Sequence, residues 1–190
     1  MSRQLCILIL VVAGVGSALI NGTLIQPTNP TVSTLITQVS GFSSVIGTSP
    51  HPSAYPWTSS NAAAAVWLGI NDVGNSWYWG NSSEINTLDL TDYFNQFNIL
   101  YTAGVRKFLI LTVPPTNRTP YWMSWGNASD AAVGSDVTAF NTLLESDAKS
   151  WAKGKKGVNL KIVDTVPIFN YILNNPQLCE CAGLTSWKLC

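Results

Sequence analysis

The sequence predicts an α/β protein built on a parallel sheet, and three observations carry that expectation. Three short apolar runs end in polar or turn-forming residues, segments with helical periodicity separate them, and a further helical segment stands before the first run and after the last. A strand, helix, strand order of this kind forces crossover connections, so the strands lie parallel with helices packed on their faces. The expected architecture is three layers, α/β/α.

The elements follow in order. Pro30 comes after the potential cap Asn29, and Val32, Leu35, Ile36, Val39 and Phe42 recur at the spacing of one helix face, with Gly41 and the serines after it expected to end the helix. Residues 47–60 are rich in Pro, Ser and Thr and predict a surface loop that contains His51 and Trp57. Residues 62–70 form a continuous apolar run closing on Gly-Ile-Asn-Asp, which suits a strand buried on both faces. A second helix is expected over 87–102, with Leu90, Phe94, Phe97 and Tyr101 on one face and Gly104 just past its end. Residues 107–113 predict the next strand, stopped by Pro114 and Pro115. Residues 116–130 predict a long loop carrying Trp122 and Trp125, and a third helix is expected over 132–153 with Val137, Phe140, Leu144 and Trp151 inward. A last strand at 158–163 ends at Asp164, and a short helix follows around 168–173.

In open parallel sheets ligands bind at the carboxyl ends of the strands. That rule directs attention to residues 69–72, to Pro114 onward and to Asp164 onward.

Composition narrows the function classes. Ten basic residues balance ten acidic ones and only 11% of residues are charged, so no electrostatic footprint for nucleic acid or an anionic membrane is present. A single domain of 190 residues is long enough to bury a sizeable core. Residues 1–18 combine Arg3, an apolar run over 5–15 and the small residues Gly16-Ser17-Ala18, the pattern of a secretory leader. The run is shorter than the roughly 20 residues that cross a bilayer, so no stable membrane anchor is expected. Sequons at Asn21, Asn81, Asn117 and Asn127 fit export and glycosylation. The organisation expected is a leader at 1–18 and one domain at 19–190.

Cys6 falls in the leader, while Cys179, Cys181 and Cys190 cluster near the end, where a disulfide within the terminal loop is the expectation. Cys179-Glu-Cys181 supplies too few ligands for a tetrahedral zinc site, so no metal is expected. No cofactor motif is visible either: a flavin or receiver domain needs a phosphate loop or an acidic pocket.

The stretch Val66-Trp-Leu-Gly-Ile-Asn-Asp-Val-Gly-Asn-Ser76 closely resembles the Gly-x-Asn-Asp block of GDSL-type (SGNH) hydrolases, notably fungal carbohydrate acetylesterases. Residues 21–39, residues 108–115 with their Pro-Pro, and residues 164–176 are similar to further segments of that family in the same order, so the resemblance covers about residues 16–176. It implies an SGNH/flavodoxin-like fold and a carboxylic-ester hydrolase, with Asn71 as an oxyanion-hole donor. It also implies that Gly16, where a Gly-Gly-Ala is expected, offers a second oxyanion N–H; the same three residues double as a signal cleavage site.

Two departures affect mechanism. The family's nucleophile lies in a Gly-Asp-Ser block and its base in an Asp-x-x-His block, and neither motif occurs. Gly134-Ser135-Asp136 has the wrong order, so Ser135 is expected to be a capping or surface serine. His51, the one histidine, has Pro on both sides and precedes the Asn71 strand, and it is expected to be an exposed loop residue. No nucleophile or base is therefore identified, and an incomplete fold of little turnover is expected.

Trp77 and Trp79 can stack on a sugar ring or simply pack their loop onto the sheet. The partner expected is a small-molecule or carbohydrate ester, met by a monomer. The alternative is a secreted carbohydrate-binding protein on an esterase scaffold.

Overall fold

The computed structural model describes residues 18–27, 29–175 and 177. It contains a three-stranded parallel sheet, in the order β1-β2-β3, with helices between the strands. The elements are α1 (Leu35–Val45), β1 (Ala64–Trp67), α2 (Ile70–Ser76), α3 (Ser82–Ala103), β2 (Lys107–Leu111), α4 (Pro120–Met123), α5 (Asn127–Ala152), β3 (Asn159–Val163) and α6 (Val166–Asn174), with a 3-10 turn at Thr116–Arg118. The fold is α/β, with a small sheet.

Local chemistry sets the boundaries, and several differ from expectation. α1 starts at Leu35 because the Thr34 side chain caps it by accepting from the N–H of Thr37, while Asn29 forms its own turn with Thr31. It runs through Gly41, which meets nothing nearby, and ends where Ile46 and Gly47 both donate to the Phe42 carbonyl. α3 ends as expected at Gly104, whose φ of 115° lets Gly104 donate to Tyr101 and Val105 donate to Leu100. Residues 116–130 are not one loop: Pro120 opens α4 and the first turn of α5 begins at Asn127. The strand expected over 62–70 is shorter, and α2 takes its last residue.

One face of the sheet packs a dense aromatic core. Ala64, Val66, Phe108 and Ile110 are buried on it, with Leu160 and Ile162 in register beside the last two. Phe97 of α3 stacks on Phe108 at 5.2 Å, and Trp151 of α5 meets the same ring edge-on at 4.9 Å. The Trp151 indole N–H donates to Asn98, which removes the cost of burying it.

The opposite face is less covered. Ala65, Leu109 and Lys161 lie side by side, as do Trp67, Leu111 and Val163, and none of the six is fully buried. α6 reaches this face through Phe169 against Trp67, at 6.2 Å, but buries no residue of its own. Ile168, Tyr171 and Ile172 remain exposed. Among the described residues the sheet thus has one finished layer and one partial one.

Candidate functional site

The carboxyl end of β1 is shaped by Gly69. Its φ of 111° is left-handed, and a Cβ there would sit 2.5 Å from the ring of Phe140 and 2.7 Å from a methyl of Val113. Glycine is required on both counts. The chain therefore leaves the strand and turns at once into α2, which places Asn71 and Asp72 in the first turn of a helix.

Asn71 is half-buried. Its side-chain N–H donates to the Ala18 backbone carbonyl at 3.0 Å, and its backbone carbonyl accepts from the Asn75 side-chain amide at 2.6 Å. A side-chain amide carries two hydrogens, so one contact to Ala18 leaves the second for a ligand. Asp72, next along, is fully buried and accepts the Ile20 N–H at 2.8 Å, while Ser76 donates to the Asp72 carbonyl. Residues 18–20 are therefore sewn across the first turn of α2 by two adjacent side chains. The structure brings together Asn71 and the end of the segment that holds Gly16; Gly16 itself lies outside the described residues.

The other two strand ends form a polar seam. The Thr112 hydroxyl lies 3.3 Å from an Asp164 carboxylate oxygen and accepts from the Thr165 N–H, and the Thr165 hydroxyl donates back to the Thr112 carbonyl. Asn141 of α5 pairs with both backbone groups of Val113, at 2.8 Å each, and fixes the chain as it leaves β2. Beyond this seam a cavity of about 1060 Å³ opens, lined among others by Arg118, Ser135, Thr138, Glu145, Lys149 and Asp164. Asn71 does not line it.

The remaining sequence candidates fall elsewhere. Ser135 is exposed on the third turn of α5, and Asp136 beside it turns inward to accept from Asn86 at 3.0 Å. His51 is not the exposed loop residue expected. It is half-buried, stacked on Trp57 at 3.9 Å with Nδ1 2.8 Å from the Thr48 carbonyl, because the flat indole offers it a packing surface. It borders Gly104 ahead of β2, at the end of the sheet opposite Asn71. The described residues bring no serine and histidine together beside Asn71.

Trp77 meets Trp122 edge-on at 5.8 Å, and Trp79 packs against the small cluster of Leu19, Ile25 and Ile85. Both are partly buried and hold the α2 to α3 connection onto the body of the protein. Of the sequons, Asn21 donates to Asp92 at 2.6 Å, Asn117 lies against α5 at Gly134, and Asn81 and Asn127 are exposed at the starts of α3 and α5. Cys6, Cys179, Cys181 and Cys190 lie outside the described residues. Among the described residues no cluster of His, Cys, Asp and Glu has metal-binding geometry, and no helix is long and apolar enough to cross a membrane.

Sequence reasoning missed one group. Asp89 of α3 is buried beside the Asp72 carboxyl, with both carboxyl oxygens lacking a conventional donor, and the buried Tyr93 hydroxyl likewise lacks a partner. Burial first, and then the charge of Asp72, holds the Asp89 carboxyl far above the ordinary carboxylate range; burial also raises Asp72 and Tyr93. The signal was positional: Asp89 lies four residues after Ile85 and four before Tyr93, inside the apolar stripe of its helix.

No family model matches the chain. It is 38% identical over 162 residues to an acetylesterase from Thermothelomyces thermophilus, a match that takes in 85% of this chain and 53% of that protein. The chain spans about half the length of this relative and, over that span, is related to an esterase.

Proposed function

We propose that this chain carries the oxyanion-stabilising part of a secreted GDSL-type hydrolase that removes acetyl groups from carbohydrate. The observation that supports it most is the Asn71 side chain, held at the carboxyl end of β1 with one amide hydrogen engaged and one to spare. Attack on an ester moves negative charge onto the carbonyl oxygen, and a preorganised neutral donor stabilises that charge without adding one of its own. The similarity to an acetylesterase over the same residues suggests an acetyl ester as the substrate class. The sequons support export and glycosylation.

Ester hydrolysis of this kind also needs a serine and a histidine beside the donor. The transcript that carries this chain is expected to encode Gly-Asp-Ser ahead of the Asn71 block and Asp-x-x-His behind it. The product of that longer frame is expected to hydrolyse p-nitrophenyl acetate, with Asn71→Ala lowering kcat roughly 10²- to 10³-fold. The 190-residue chain alone is expected to turn over no faster than its own Asn71→Ala variant. A full frame that lacks both blocks and shows no turnover defeats the esterase assignment, and affinity for xylan fragments in that protein would favour a binding role. Robust turnover by the 190-residue chain would mean that another nucleophile is present.

A further inference from the structure

We propose that Asp72 is a positioning residue for the Asn71 amide, and that Asp89 supplies the proton that lets the Asp72 carboxylate work in the interior without a cation. The proposal rests on the oxyanion role proposed for Asn71 and deepens it.

The geometry runs through the segment at 18–20. Asn71 rests its amide on the Ala18 carbonyl, and two residues on the Ile20 N–H is anchored by Asp72 Oδ1 in a buried contact of 2.8 Å. The position of the Ala18 oxygen is therefore set by the next side chain after Asn71. Because both side chains leave the same helical turn, a displacement of Asp72 changes the direction in which the free Asn71 hydrogen points.

The interior around Asp72 is acidic. From α2 come Asp72 and Ser76, and from α3 come Asp89, Asp92 and Tyr93, with Asp92 accepting from Asn21. The described residues place no Lys, Arg or His in ion-pair contact with any of these carboxyl groups. Two neighbouring carboxylates cannot both stay charged in such a place, so the pair retains a proton. Asp72 accepts a backbone N–H, which favours its charged form, whereas Asp89 accepts from none. The proton belongs on Asp89, which then donates to Asp72. That assignment also gives a partner to Asp72 Oδ2 and to one of the two Asp89 oxygens, which otherwise have none.

The test uses nuclear magnetic resonance of the 190-residue chain, a readout independent of turnover. In Asp72→Ala the Asn71 side-chain amide resonances are expected to shift and exchange of the Ile20 amide to speed up roughly 10- to 100-fold, the loss of one charge-assisted hydrogen bond. Asp72→Asn, which keeps an acceptor for Ile20 and a donor for Asp89, is expected to restore the protection. Asn86→Ala, which breaks a buried contact elsewhere on α3, is expected to leave the Asn71 resonances in place. If Asp72→Ala does not fold, the wild-type titration decides. The Asp89 carboxyl, followed by its carbon resonance, is expected to stay protonated past pH 7, with the Ile20 amide shift following the same curve. Asn71 resonances unmoved in folded Asp72→Ala, or an Asp89 that titrates near 4 without moving Ile20, overturns the proposal. Failure of the longer frame to hydrolyse esters would leave these resonances unchanged, so the two ideas fail separately.

Discussion

Gly69→Ala is expected to destabilise the protein by about 3–5 kcal/mol, the sum of left-handed backbone strain and overpacking at a closed site. A methyl at this position meets Phe140 and Val113, which are fully buried and cannot retreat without disturbing the core under β1 and β2. Gly41→Ala makes a matched control, because it lies inside α1 with open space around it, and there alanine is expected to stabilise by about 0.5–1 kcal/mol. Urea denaturation followed by circular dichroism gives both values. A loss under about 1 kcal/mol at position 69 would contradict the packing described for the end of β1.

The second large effect is a pH dependence of stability. The native chain holds a proton on the Asp72 and Asp89 pair that the unfolded chain releases near the ordinary aspartate value of 3.8. A group raised in the folded state contributes its full stability below that unfolded value and loses it as pH climbs toward the folded one. Across pH 5–7 the native state therefore binds more protons than the unfolded state, and stability falls by about 1.4 kcal/mol per pH unit for each extra proton. Asp89→Asn keeps a donor for Asp72 but cannot titrate. Its stability relative to wild type is expected to rise by up to about 1.4 kcal/mol per unit over this window. Urea midpoints at pH 5, 6 and 7 measure the trend, and two parallel curves would show that no proton is trapped.

Much of the fold was legible because its signals are local. The strand expected over 107–113 shows as an apolar run ahead of two prolines and forms over Lys107–Leu111, two residues shorter, while Gly104 ends its helix as expected. Helix starts were less legible, since Asn29 with Pro30 and Thr34 with Thr37 compete as caps and the second pair forms α1. At the site, the position of Asn71 after β1 could be read from sequence, but its place inside a helix turn depends on the conformation of Gly69. Its contact with Ala18 spans fifty-three positions, a separation that no local pattern reports. His51 was misjudged because the Pro and Ser around it describe a loop, while its burial comes from Trp57. Asp89 was missed because the helix was expected to begin at Thr87 rather than Ser82, which hid the stripe that Asp89 interrupts.

The uneven clothing of the sheet carries a calorimetric consequence. Unfolding raises the heat capacity in proportion to the apolar surface it newly wets. Trp67, Leu111, Val163 and the outward side chains of α6 already meet solvent in the native state, so they add little to that increment. The stability curve set by the described residues is accordingly flatter with temperature than that of an equal number of residues whose sheet is sheathed on both sides.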